Sequence, residues 1–214
     1  MPPAIVPARR RSYHPYTNTP VSRVNCMDAF RWISVVLSII LGLGITRLLS
    51  AAVEVFRARD RWEMDWVPLA WAGCIFLSQL QFWWGIIELQ GMVPQWSIGL
   101  FLLLVSLTIV LFLAASLILP LARSDEKGSL RTSFEHDGRW ALVALSAYNG
   151  LAILADWLLW DVSPLSSWGA FLLLEALLPL GVVLIRKRRT QAAITLLYIP
   201  LSILAALDLS RASY

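Results

Sequence analysis

Apolar residues in this chain do not alternate with polar ones, and they do not recur only on one face of a helix. They come in long unbroken runs, separated by short polar stretches. Six runs stand out, over residues 33–55, 67–89, 98–119, 141–160, 168–184 and 193–207, the last being the shortest. A helix needs roughly 20 apolar residues to cross the hydrocarbon core of a bilayer. Lipid offers no hydrogen-bond partner to an open backbone, and barrel strands would show an alternating pattern, so each run is expected to be helical. The fold expected is an all-α, polytopic transmembrane bundle of six transmembrane helices, forming one membrane domain over residues 27–214. The longest interior loop, 122–139, is charged. Its Leu130, Phe134 and Trp140 suggest a short amphipathic helix leading into the fourth run.

Composition agrees with the pattern. Hydrophobic residues make up 58% of the chain and charged residues 15%, against about 45–50% and about 25% in soluble domains. The formal net charge of +4 comes from cations in the short loops, so it reads as a determinant of membrane orientation and not as a nucleic-acid stripe. Of the two cysteines, Cys74 falls inside an apolar run, which argues against a disulfide with Cys26 and against a Cys-based zinc site. Among eleven tryptophans, Trp32, Trp66, Trp96, Trp140, Trp160 and Trp168 lie at the edges of the runs, where amphipathic rings settle at headgroup level.

Loop charge sets orientation. Arg57, Arg59 and Arg61 follow the first run. Arg123, Lys127, Arg131 and Arg139 follow the third, and Arg186, Lys187, Arg188 and Arg189 the fifth; the loops after the second and fourth carry no cation. The odd-numbered loops are therefore expected in the cytoplasm and both termini outside, in a multi-pass protein of the bacterial inner (plasma) membrane. Residues 1–26, rich in Pro, Arg, Ser and Tyr and without a signal-peptide apolar core, are expected to be disordered. Their Arg9, Arg10, Arg11 and Arg23 would sit on the wrong side of that topology. Either native translation starts at Met27, or a basic tail crosses the membrane against the charge rule.

Three stretches carry a resemblance. They are Leu41-Gly42-Leu43-Gly44-Ile45-Thr46-Arg47-Leu48-Leu49-Ser50, Gln79-Leu80-Gln81-Phe82-Trp83-Trp84, and Ser129-Leu130-Arg131-Thr132-Ser133-Phe134 with Arg139-Trp140. Together they are similar to an uncharacterised family of small bacterial integral membrane proteins, over Met27 to about Asp208. The resemblance implies a six-helix membrane fold with a start close to the first span. It implies no activity and no catalytic residue.

Polar residues inside the runs are the candidates for function, because an ionisable group costs roughly 2.5–3.5 kcal/mol at the centre of a membrane helix. Arg47 and Glu54, seven residues apart, form a candidate ion pair, or else lie at the inner interface, where Arg47 snorkels and Glu54 meets Arg57. Ser34, Ser38, Gly42 and Thr46 recur every four residues and read as a seam for close helix packing. Cys74, Ser78, Gln81, Gly85 and Glu88 share one face of the second run, with Gln79 off that face. The fourth run carries Ser146, Asn149 and Asp156. In the fifth, Glu175 is the deepest acid, and Pro179 four residues on removes the amide that would bond its carbonyl; Pro200 does the same in the sixth run, near Tyr198 and Ser202. The candidate ligand or ion site is thus Gln81, Glu88, Asn149, Asp156 and Glu175. With Asp161 and Asp208, its acids suggest an outward-open, acid-lined chamber for a cation or proton. The opposing reading leaves the interfacial acids wetted and the deep ones hydrogen-bonded in place.

No catalytic or metal constellation is visible. His136 stands between Glu135 and Asp137 in a loop, a solvated surface cluster, and His14 lies in the tail. There is no phosphate-cradling Gly-rich loop and no nucleophile elbow. The chain is expected to be a non-enzymatic membrane component, an interaction, assembly or sensor subunit, with the lipid bilayer and a protein partner or second copy as its contacts and no cofactor. The alternative is a small proton- or cation-coupled transporter or ligand-binding membrane protein with an acid-lined cavity in its outer half. A lipid-modifying enzyme using Asp156 and Glu175 is a distant third.

Overall fold

The computed structural model describes residues 20–93, 96–120, 128–160, 166–185 and 187–212, with side chains from residue 30 onward except at 88, 90–92, 128, 160, 167–168 and 208–212. The described chain is helical almost throughout. Helix α1 spans Pro20–Arg57, α2 Trp66–Met92, α3 Ile98–Leu117, α4 Leu130–Ser133, α5 Arg139–Trp160, α6 Ser167–Leu184 and α7 Arg188–Ala212. Two-residue strands β1 (Trp62–Glu63) and β2 (Gly128–Ser129) pair in parallel. Each of the six apolar runs falls on one long helix.

Among the described residues, four segments are long and apolar enough to cross a membrane: Phe30–Arg57, Ile98–Leu117, Leu130–Leu159 and Arg188–Leu207. Helix α2 has the length, with 27 residues, but its tryptophans and glutamines dilute its apolar character. The apolar part of α6, Gly169–Leu184, is shorter. At the N-terminus, α1 begins at Pro20 and takes in the end of the 1–26 stretch, while residues 1–19 lie outside the described residues.

The loop before the fourth run folds as its spacing suggests. Helix α4 passes through a π-helical turn, Phe134–Gly138, directly into α5. Leu130 and Phe134 are buried and Trp140 is exposed. Gly138 permits the turn: a Cβ there would lie 2.5 Å from Phe134 Cδ2.

The long helices close into a ring. Helix α1 packs on α3, α3 on α5, α5 on α6, α6 on α7, α7 on α2, and α2 back on α1. The three cationic loops meet at one end of this ring. The β1–β2 pair joins the loops after α1 and α3. Asp65 caps α2, accepting from the Val67 amide at 3.1 Å, and also pairs with Arg188 at the start of α7. Arg139, the first residue of α5, donates to the Val183 carbonyl near the end of α6. Trp66 and Trp140, exposed at the first turns of α2 and α5, mark the same end.

On α1 the buried face is Leu37, Leu41, Gly44, Leu48, Ala51 and Val55, the 4-3-4-3-4 spacing of a helix laid against neighbours. The expected seam of Ser34, Ser38, Gly42 and Thr46 is not part of that face. Thr46 is exposed, and a Cβ on Gly42 would meet nothing within 4 Å. The close approach is made one position further on, by Gly44, where a Cβ would lie 2.5 Å from Gln79 Nε2 and 3.6 Å from Phe112 Cα. The outer faces are apolar. Ile98, Leu102, Ile109, Leu113 and Leu117 stand exposed along α3, a surface suited to acyl chains and not to water.

The Asp65–Arg188 contact is worth more than a surface pair, because its side chains are only 11% and 25% exposed. Asp65→Ala removes the helix cap and strands Arg188, and is expected to lower stability by about 2–4 kcal/mol. Asp65→Asn keeps a capping oxygen and is expected to lose about half as much. Denaturant unfolding in micelles reads both, and equal losses would mean that the cap contributes nothing.

Candidate functional site

Pro179 lies inside α6 and has no amide to offer the Glu175 carbonyl. Where a lipid-buried helix opens in this way, the freed carbonyl needs another donor. Asn149 supplies it from α5: its Nδ2 donates to Glu175 O at 3.0 Å and lies 3.4 Å from the Tyr198 hydroxyl of α7. Asn149, Glu175 and Tyr198 are all buried, near the middle of their helices. The Glu175 carboxyl interacts electrostatically with Tyr148, Tyr198 and Cys74.

One turn along α7, Ser202 extends the cluster to α2. Gln81 Nε2 donates to Ser202 O at 2.9 Å, and the Ser202 hydroxyl lies 2.9 Å from Ile199 O and 3.7 Å from Cys74 Sγ. Ser78 turns its hydroxyl back to the Cys74 carbonyl at 3.1 Å. Toward the cationic end, Trp71 Nε1 donates to Thr195 Oγ1 at 2.9 Å and its ring lies 4.6 Å from that of Tyr198. Phe82 meets Tyr148 edge-on at 6.2 Å. Four helices thus surround one layer of a carboxyl, two phenols, two amides and a thiol.

Of the expected site residues, Gln81, Asn149 and Glu175 come together here. Asp156 lies further along α5: it is half-buried, seven residues past Asn149, about 10 Å along the helix, and its carboxyl acts electrostatically on Tyr148 as that of Glu175 does. Glu88 lies on α2, and its side chain falls outside the described residues, as do Asp161 and the side chain of Asp208. Pro200 is exposed.

The Arg47–Glu54 pair is not formed among the described residues. Seven residues separate the two by about 10 Å of helix rise, and Arg47 has a nearer acceptor. Its Nη2 donates to the Ser116 carbonyl of α3 at 3.3 Å. Ser116 is next to the last residue of that helix, and the residue four further on is Pro120, which has no amide. A cation is favoured at such a carboxyl-terminal end.

Gln79 lies off the polar face of α2, so the stripe pattern gives it no role. In the structure it is fully buried and faces α1 and α3, with neither amide atom hydrogen-bonded. A glutamine between large apolar neighbours, at the depth of a glycine on the adjacent helix, was the available signal.

A carboxyl beside phenols, amides and a thiol can hold a proton or share a cation. Among the described residues no group of three His, Cys, Asp or Glu side chains gathers to hold a metal. His136 meets Asp137, at 2.7 Å, on the exposed surface. No protein-family model matches the chain, and no curated protein or solved structure does.

Removing the Asn149 amide leaves a buried carbonyl unpaired, so Asn149→Ala is expected to destabilise by about 1–3 kcal/mol. Restoring the amide with Pro179→Ala gives that carbonyl an intrahelical donor. In that background the same substitution is expected to cost less than about 1 kcal/mol. A double-mutant cycle in micelles tests this, and an unchanged cost contradicts the pairing.

Proposed function

We propose that this chain is a six-span protein of the bacterial inner membrane, its cationic odd-numbered loops cytoplasmic and both termini external. The common end shared by those loops supports the topology, and loop charge supports the side. The likeness to an uncharacterised family of six-helix bacterial membrane proteins agrees with it.

Within that membrane the chain works as a non-enzymatic component, an interaction, assembly or sensor subunit that associates through α1. One observation carries this reading. The small-residue seam Ser34–Ser38–Gly42–Thr46 is only partly covered by the ring, three of its residues half-buried and Thr46 exposed, with open space over Gly42. In lipid, small residues at four-residue spacing let another helix approach closely. The polar layer around Glu175, by contrast, is closed in by its own helices, where Asn149 and Gln81 take up the Glu175 and Ser202 carbonyls. Gly42→Cys is expected to cross-link α1 to a second transmembrane helix in native membranes, in a second copy or a partner. Gly42→Ile is expected to reduce that association at least tenfold without loss of the folded protein. Absence of any cross-link at Gly42, with full cross-linking at exposed Leu43, would sink the reading.

The second reading, a proton- or cation-coupled transporter, draws on the mid-membrane carboxyl beside a helix break, a feature of substrate and ion sites in small transporters. It requires that Glu175→Gln abolish proton or cation flux in proteoliposomes. Equal flux in variant and parent, or no flux in the parent, leaves the interaction reading alone.

A further inference from the structure

Among the described residues, the exposed tryptophans are Trp32, Trp66, Trp83, Trp84, Trp140 and Trp157. All but Trp32 stand on α2 and α5, which both start at the cationic end and lie on opposite sides of the ring. On α2, Trp83 and Trp84 follow Trp66 by 17 and 18 residues; on α5, Trp157 follows Trp140 by 17. Helix rise converts each interval to about 26 Å. Exposed indoles settle at headgroup level, so the two helices mark the same pair of levels independently. Tilt can only bring those levels closer along the membrane normal.

Other residues agree with these limits. Just before Trp140, Glu135, His136 and Asp137 are exposed. Ile87 is exposed one turn beyond Trp83, but helical side chains lean toward the amino terminus, so it covers the tryptophan turn. The apolar part of α6, Gly169–Leu184, is about 24 Å long. Ser166, which caps the helix through the Gly169 amide, precedes it, and exposed Lys187 follows it. On α7 the apolar run 193–207 lies between exposed Arg189 and Asp208, about 22 Å in all. Helices α1 and α3 have longer apolar stretches. A long helix takes up its excess by tilting, whereas a short one cannot stretch. The short helices therefore set the thickness.

We infer that the lipid-facing surface of this bundle fits a bilayer whose hydrocarbon core is about 25 Å thick, against about 30 Å in a typical bilayer, so that its lipid partners are phospholipids with short acyl chains. The inference rests on the six-span reading above. In a thicker bilayer the lipid beside α6 and α7 must thin to meet their ends, and the cost grows with each ångström of mismatch. The same cost sorts such a chain toward thin membrane and favours its association with other helices.

The test is the full chain in nanodiscs of phosphatidylcholine carrying myristoleoyl, palmitoleoyl, oleoyl, eicosenoyl or erucoyl chains, which share one headgroup and differ in thickness. The thermal midpoint is expected to be highest with myristoleoyl or palmitoleoyl chains, and about 5 °C or more lower with eicosenoyl chains. Combining Trp83→Leu, Trp84→Leu and Trp157→Leu removes the outer indoles from exposed positions, where the fold does not depend on them. That variant is expected to narrow the difference between short and long chains. An undiminished difference would overturn the tryptophan levels on which the inference stands. A maximum with oleoyl or longer chains would overturn the thickness while leaving six spans in place. A midpoint independent of chain length would overturn it as well, and would also count against α2 and α6 crossing the bilayer.

Discussion

A backbone carbonyl inside a bilayer has no water to turn to, and the arrangement of this bundle follows from that constraint. Pro179 frees the Glu175 carbonyl, and Asn149 of the adjoining helix takes it up. The Ser116 carbonyl ends α3 ahead of Pro120, and Arg47 of α1 takes it up. At the end of α6, Arg139 donates to Val183 O, and Gln191 Nε2 lies 3.0 Å from Ile185 O. Each donor stands on a different helix from its acceptor, the last by a short hop between α6 and α7, so satisfying the backbone also fastens the ring. Two of the donors are arginines that reach the carboxyl-terminal ends of neighbouring helices, where the macrodipole favours positive charge.

The same constraint explains why polar side chains are unevenly distributed around the ring. Where α6 opens, an amide, two phenols, a carboxyl and a thiol gather, because a freed carbonyl draws donors and each donor needs its own partners. On the opposite side, α1 turns small and hydroxyl-bearing residues outward, and Thr46 closes its hydroxyl on its own helix at Gly42 O, 2.8 Å away. A hydroxyl satisfied locally can face lipid without penalty, and the space over Gly42 stays free for another helix. An association surface on α1 and a closed interior are thus compatible uses of one chain.

Much of this was legible from the residues. The long apolar runs fixed where the six long helices lie, because hydrophobic length is a direct physical requirement. Leu130 and Phe134 marked the helix before α5, and the Glu175–Pro179 spacing marked the freed carbonyl, since proline's missing amide is a local fact. Partner identity was not local. Nothing in the α1 pattern distinguished the face bearing Gly42 from the face bearing Gly44; only the positions of Gln79 and Phe112 decide it. Arg47 and Glu54 share a face, yet an acceptor on α3 lay closer than the acid two turns away. Gln79 was passed over for the same reason: its surroundings come from two other helices.

The proposed topology has all six long helices crossing the bilayer, α2 and α6 among them though less apolar or shorter than the other four. Single cysteines at Asp60, His136, Lys187, Gln95 and Ser163, in a background lacking Cys26 and Cys74, can be labelled with a membrane-impermeant maleimide in intact and in lysed cells. The account predicts that the first three react only after lysis and the last two already in intact cells. If α2 did not cross, Gln95 would react on the same side as Asp60, and that result would contradict it.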